Sequence, residues 1–302
     1  MFQILNTFLI GITAGSIYAL MAISMVLVWR STRVINFAQA GMALLSTYFG
    51  YEIVNRFDSY WLALPVAMLS GAVVAAFIEL VFMRVLLKHS SSGPIASIAP
   101  IIATLGLLGI IKAFIGFIWG NQDLNIESPL STVGFSIGTQ TLALSPMKLL
   151  ILIAVSILLL ALTFVFQKTN IGLALRASAY APEISRLAGI KVDLVRTFGW
   201  ALAGAAGGAA GMLQTANGNG ALSPDSLEFS LLLAFGFIAA VIGGLDSLLG
   251  AVFGALLLGL VLAFVLTYVG GSLVFITAFV LLLVVLIIRP GGIISQKAGR
   301  RA

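Results

Sequence analysis

The chain has 302 residues, of which 61% are hydrophobic and 9% charged, with a formal net charge of +6, one histidine and no cysteine. A mean hydropathy of +1.15 exceeds what a soluble domain of this length tolerates, so the chain reads as an integral membrane protein. The missing cysteines exclude disulfides and thiolate metal sites, and no aromatic-and-basic patch is present to bind nucleic acid.

Several apolar runs approach the roughly 20 residues that cross a bilayer as a helix, and none alternates as barrel strands do. The expected fold is therefore all-α, a polytopic transmembrane bundle forming one domain over residues 1–302. Nine spans are predicted, at about 5–29, 35–50, 61–83, 98–118, 147–166, 198–215, 228–244, 248–268 and 272–288. The first has no Lys or Arg before it, unlike a cleavable signal peptide, and is expected to be retained. The second and seventh are short enough to be tilted, broken or re-entrant, which is permitted where protein or water surrounds the backbone.

Loops at 51–60, 119–147 and 214–227 fall on one side. The middle one is rich in Ser, Thr, Gly and Pro and reads as a small lid, with Ser145 and Pro146 capping the next helix. Most Lys and Arg residues lie on the other side: Arg30, Arg33, Arg84, Lys88, Lys168, Arg176, Arg186, Lys191, Arg196, Arg289, Lys297, Arg300 and Arg301. Only Arg56, Lys112 and Lys148 do not. This bias predicts an outside N-terminus and a cytoplasmic C-terminus, which an odd number of spans also requires.

The longest polar segment rich in positive charge is Gln167–Arg196. Within it Ile171–Tyr180 reads as a helix with Leu173, Ala174, Ala177 and Tyr180 on one face. A second short helix is expected from Pro182 to about Ala188, opened by proline and closed by Gly189, with Glu183 and Arg186 complementing its dipole. Such a compact projection suits either a plain connection between spans or a contact with another chain.

Catalytic patterns are missing. The single histidine, His89, sits in a polar loop, and no HExxH, carboxylate cluster or Cys/His ligand set appears. The phosphate-binding pattern GxxxxGK[ST] is also absent, so any ATP used must be hydrolysed by another chain. The chain reads as a non-enzyme with no cofactor, metal or catalytic residue of its own. Of the charges inside spans, Glu79 and Lys112 fit snorkelling or local pairing better than a proton relay. Asn36, Gln39, Thr104, Gln214 and Asn217 are candidates either for lining a path or for packing. Small-residue pairs such as Gly11/Gly15, Gly204/Gly208, Gly207/Gly211 and Gly250/Gly254 suit close helix packing, within the chain or against a partner.

The segment GLALRASAYAPEISRLAGIKV, followed by WALAGAAGGAAGML, resembles the cytoplasmic coupling loop and next helix of the permease subunits of branched-chain amino acid ABC importers. INFAQAG at 35–41, IATLGLLGIIKAFIGFIWG at 102–120, VIGGLDSLLGAVFGALLLG at 241–259 and LIIRPGGI at 286–293 agree in order, so the resemblance covers essentially the whole chain.

The resemblance implies a bacterial inner-membrane permease that works beside a second homologous permease, two ATP-binding subunits carrying ATP and Mg2+, and an extracytoplasmic substrate-binding protein. It implies that Gly172, Arg176, Pro182, Glu183, Ala188 and Gly189 couple the permease to the ATPases. The pattern departs at Gln39 and Met42, where a His and an acidic residue are common, at Val85 in place of Pro, and at Asp246 in place of a small residue. Related permeases carry urea, short amides, sugars or nucleosides, and these remain alternative substrates. A stand-alone secondary carrier with a broken-helix site after the sixth span is the competing transport reading, and a membrane scaffold is the non-transport one.

Overall fold

The computed structural model describes residues 1–89, 98–138 and 140–294. The first half of the chain forms α1 (Phe2–Thr32), α2 (Gln39–Phe57), α3 (Tyr60–Ile78), a π-helical turn (Glu79–Met83), α4 (Arg84–His89) and α5 (Ala99–Trp119). The second half forms α6 (Pro146–Lys168), α7 (Asn170–Tyr180), α8 (Pro182–Leu187), α9 (Val192–Asn217), α10 (Leu227–Gly243), α11 (Leu248–Tyr268) and α12 (Val274–Ile288). Among the described residues, a helix occupies each of the nine positions predicted for a span. The polar loop after His89 and the basic residues Lys297, Arg300 and Arg301 lie outside the described residues.

Among the described residues, six helical stretches are long and apolar enough to cross a membrane: Phe2–Thr32, Tyr60–Lys88, Ala99–Trp119, Pro146–Lys168, Leu248–Tyr268 and Gly271–Ile288. The other three predicted spans correspond to α2, α9 and α10. Here α10 has 17 residues, α2 carries Glu52 and Arg56, and α9 opens on Asp193 and Arg196. Protein covers much of α2 and α9, since the residues from Gln39 to Tyr48 and from Ala206 to Leu213 are buried. A helix enclosed by its neighbours has less need of a lipid-compatible surface.

The bundle is built around α1, in which every residue from Ala19 to Val28 is buried. It packs chiefly against α11, α9 and α10, while α3 packs against α9 and α2. Small residues make these approaches close. A Cβ at Gly11 would sit 2.8 Å from the Cα of Leu260, and one at Gly259 would sit 2.5 Å from the Cα of Gly15. Gly71 of α3 and Gly204 of α9 meet backbone to backbone in the same way. Small-residue seams of this kind let helices pack where lipid removes the hydrophobic incentive to associate. Several buried hydroxyls are satisfied within their own helices, Thr13 donating to Leu9, Ser46 to Met42 and Thr47 to Ala43, as a water-poor surrounding demands. At the periphery, α12 buries only Ala278.

Two boundaries differ from the sequence expectation. The second helix starts at Gln39 rather than at 35, because the Asn36 side chain accepts the Ala38 N–H at 3.0 Å and holds the chain in a turn. It then continues through the expected loop at 51–60 as far as Phe57, supported by a Glu52–Arg56 pair at 3.6 Å. It stops only where Asp58 turns left-handed at φ 49°. Likewise α9 runs on through Gln214 and Asn217, which were expected in a loop.

The loop between α5 and α6 carries three short strands. β1 (Leu124–Asn125) pairs antiparallel with β4 (Ala221–Leu222) after α9, and β2 (Ser136–Ile137) pairs with β3 (Gln140–Thr141). Asn6 of α1 donates to the Thr141 carbonyl and accepts the Ala143 N–H. The loop is thus tied across one end of the bundle, opposite to α7 and α8. Ser145 accepts the Lys148 N–H at 3.2 Å with Pro146 at the first helical position, as expected.

Candidate functional site

The polar segment after α6 forms the two short helices expected of it. Thr169 accepts the Gly172 N–H at 3.1 Å and starts α7. Gly172 is buried against the carbonyls of Val165 and Phe166, and the Arg176 guanidinium donates to the Phe166 carbonyl. These two residues therefore anchor α7 to the end of α6, and Leu175 joins them inside. The apolar face expected on α7 is not its buried one: Leu173 and Tyr180 point outward, 58% and 82% exposed.

Pro182 opens α8 at its first position, and Glu183 pairs with Arg186 at 3.1 Å. Ala188 donates to the Ile184 carbonyl, while Gly189, at φ 83°, donates to that of Arg186 and ends the helix. The outward surface carries Tyr180, Ile184 and Leu187, the last 89% exposed. Ile184 and Leu187 lie at i and i+3 on α8, and Tyr180 ends α7 before the non-helical Ala181 (φ −143°, ψ 77°), so three large exposed apolar side chains stand in a segment that also carries Glu183, Arg186 and Lys191. The sequence reading named the turn residues of this segment and Tyr180 but not Ile184 and Leu187, whose signal was large apolar residues within an otherwise polar stretch.

Behind α8 a chain of polar contacts leads into the bundle. The second guanidinium nitrogen of Arg186 lies 3.6 Å from the Asp193 carboxylate at the start of α9. The Asp193 carbonyl accepts from Arg84 Nη2 at 3.1 Å. Arg84 also donates to Glu79 at 3.0 Å, and the Thr197 hydroxyl donates to the same Glu79 oxygen at 2.5 Å. Glu79 is wholly buried. Its pairing with Arg84 fits the local partner expected for it, whereas Lys112 lies 3.6 Å from Asp225, a residue distant in sequence that nothing in the sequence marked as its partner. Asp246, one of the departures from the family pattern, pairs with Arg33 at 2.6 Å.

The candidate path residues divide into two groups. Asn36, Gln39 and Thr104 come together, all essentially unexposed. Asn36 Nδ2 donates to Gln39 Oε1 at 3.3 Å, Gln39 Nε2 to the Ala203 carbonyl at 3.2 Å, and the Phe37 N–H to Thr104 Oγ1 at 3.3 Å. Ser24, which the sequence reading overlooked, donates to the same Ala203 carbonyl at 2.6 Å. The cluster joins α1, α2, α5 and α9 at one level of the bundle. Gly207 makes room for it, since a Cβ there would lie 2.5 Å from Gln39 Nε2.

Gln214 and Asn217 lie at the opposite end of α9, partly exposed. Next to them a polar pocket of about 300 Å³ is lined by Asn125, Glu127, Ser128, Thr132 and the Gly218–Gly220 backbone. It opens where β1 meets β4.

Residues 7–288 match the family described as the branched-chain amino acid transport system permease component. The chain is 29% identical to the probable branched-chain amino acid transport permease protein LivH of Methanocaldococcus jannaschii, over 94% of this chain and 90% of that one. It is 27% identical to the high-affinity branched-chain amino acid transport system permease protein LivH of Escherichia coli K12, over 95% of this chain and 94% of that one. Identity to the corresponding protein BraD of Pseudomonas aeruginosa is also 27%, with the same coverage.

Proposed function

Because the chain belongs to the family of branched-chain amino acid transport system permease components, we propose that it is the membrane subunit of an ATP-driven ABC importer. In this reading it translocates branched-chain or other hydrophobic amino acids delivered by an extracytoplasmic binding protein. It pairs with a second homologous permease in the bacterial inner membrane, and two ATP-binding subunits, which carry the ATP and Mg2+, sit against the α7–α8 end. The nine helices cross the bilayer with the N-terminus outside and the C-terminus in the cytoplasm, the orientation that the basic residues favour.

The observation that carries this reading is the exposure of Tyr180, Ile184 and Leu187 on α7 and α8. These side chains are exposed in the segment richest in basic residues, and large apolar groups outside the spans suit a partner's groove. Of the two short helices that carry them, α7 is anchored to α6 through Gly172 and Arg176, and α8 lies beside α9 with Arg186 3.6 Å from Asp193. A rigid projection of this kind passes a push on α8 to two long helices as a rigid-body displacement. The pocket beside Gln214 and Asn217 serves as the outer mouth of the path, and the Asn36–Gln39–Thr104 cluster lies further along it.

Purification of the tagged chain in mild detergent tests the reading. Two ATP-binding subunits and a second permease are expected to co-purify, and Leu187→Asp or Glu183→Arg to weaken their association by about tenfold or more. Both positions are exposed, so the chain itself is expected to stay folded. A folded chain that transports substrate with no ATPase bound would overturn the reading in favour of a stand-alone carrier.

A further inference from the structure

The contacts that Glu79 makes behind α8 go beyond a means of neutralising a buried charge. We propose that Glu79, Arg84 and Thr197 form the joint through which displacement of the coupling segment reaches α3, and are positioning residues for energy coupling. The inference rests on the importer reading above.

The argument begins with the backbone. In a regular α-helix, residues five apart point about 140° away from each other, so Glu79 and Arg84 would not meet. The π turn from Glu79 to Met83 accommodates one extra residue, with the Arg84 N–H donating to the Glu79 carbonyl. Residues five apart then face each other as residues four apart do in an α-helix. π turns are rare and concentrate at functional sites. Here the turn brings an acid and a base together on the side of α3 that faces α9.

The contacts are few and shared. Arg84 Nη2 has three acceptors within reach, Glu79 Oε2 at 3.0 Å, the Asp193 carbonyl at 3.1 Å and Thr197 Oγ1 at 2.8 Å, for its two hydrogens. The Thr197 hydroxyl likewise lies 2.5 Å from Glu79 Oε2 and 3.0 Å from the Asp193 carbonyl, with one hydrogen to give. Glu79 Oε1 and Arg84 Nε are buried without a partner. A joint meant only to hold two helices would gain from using every donor and acceptor. One with more acceptors than hydrogens, and with spare groups on both partners, has a second arrangement to change into when α9 shifts.

Asp193 links this joint to the coupling segment, because its carboxylate faces Arg186 of α8 while its carbonyl faces Arg84. Beyond the joint, α3 and α9 run in backbone contact at Gly71 and Gly204. A shift at the base of α9 is therefore imposed on α3 along a line of direct contacts, the physical requirement for coupling between distant sites.

The test uses the whole importer reconstituted in lipid vesicles, with substrate uptake and ATP hydrolysis measured together. Glu79→Gln and Thr197→Val are expected to leave the subunits assembled and hydrolysis within about twofold of wild type, while uptake per ATP falls by about tenfold. Thr197→Ser, which restores the hydroxyl, is expected to recover the ratio. Thr197→Val removes one hydroxyl from a partly exposed position and so serves as the test if Glu79→Gln does not assemble. Uptake and hydrolysis falling in equal proportion, or neither changing, would overturn the inference and leave the three residues a purely structural role. A wild-type assembly in which hydrolysis is indifferent to substrate delivery would instead sink the importer reading, and the inference with it.

Discussion

Gln39 spends its amide on two partners in different helices, accepting from Asn36 and donating to the Ala203 carbonyl of α9. Gly207 leaves the space in which it does so. Gly207→Ala is therefore expected to push the amide off Ala203 and to cost about 1–3 kcal/mol, the penalty of an unmade buried hydrogen bond, read as a lowered unfolding temperature in detergent. Combined with Gln39→Ala the two losses should be clearly less than additive. Full additivity would show that the contact is not the cause. The sequence made Asn36, Gln39 and Thr104 visible as polar residues in apolar surroundings. Their partners were not visible, because Ala203 lies 164 residues away from Gln39 and acts through a backbone carbonyl that any residue would supply. Glu79 and Arg84 were legible as neighbours near a helix end, whereas the π turn that makes them face each other leaves no mark in composition or periodicity.

Among the helices, glycines that look alike in the sequence have different surroundings. Those of α1, α9 and α11 are pressed against neighbouring helices of the same chain, which decides in favour of internal packing for the pairs noted there. In α5, Gly106 and Gly109 have open space where a Cβ would stand. Gly259→Ala is expected to destabilise the isolated chain by more than about 2 kcal/mol through forced separation of α1 and α11. Gly109→Ala is expected to be neutral or to gain up to about 1 kcal/mol from helix propensity. Thermal unfolding of the two variants side by side checks this, and an equal loss in both would contradict the packing described. The order and position of the helices were legible because apolar length and Gly/Pro punctuation report them directly. The extension of α2 to Phe57 was not, because Glu52 and Arg56 look like loop residues until the Trp119 indole, donating to Glu52 at 2.7 Å, fixes one of them against α5.

For the molecule as a whole, orientation is the property that most constrains function. The absence of native cysteine makes it directly measurable. In right-side-out vesicles a membrane-impermeant thiol reagent is expected to label Gln122→Cys, in the loop tied across one end, and to reach Leu187→Cys only after permeabilisation. The reverse pattern would place α7 and α8 outside and remove the basis for the proposed ATPase contact. Apolar length alone identifies six stretches able to cross. The other three predicted spans are helices that fall short of that measure: α10 has 17 residues, and α2 and α9 carry charged residues near their ends.

The junction between α10 and the residues after α12 bears on how such a chain is made. The Ile293 and Ile294 N–H groups donate to the carbonyls of Ile242 and Gly243, at the end of α10 where a helix leaves its own acceptors unfilled. During synthesis α10 emerges well before those donors, and α11 and α12 must be inserted in between. Until then its end is completed only by water or by the insertion machinery. A chain interrupted just after α12 would have all its helices and still lack this closure, and would be a natural target for membrane quality-control proteases.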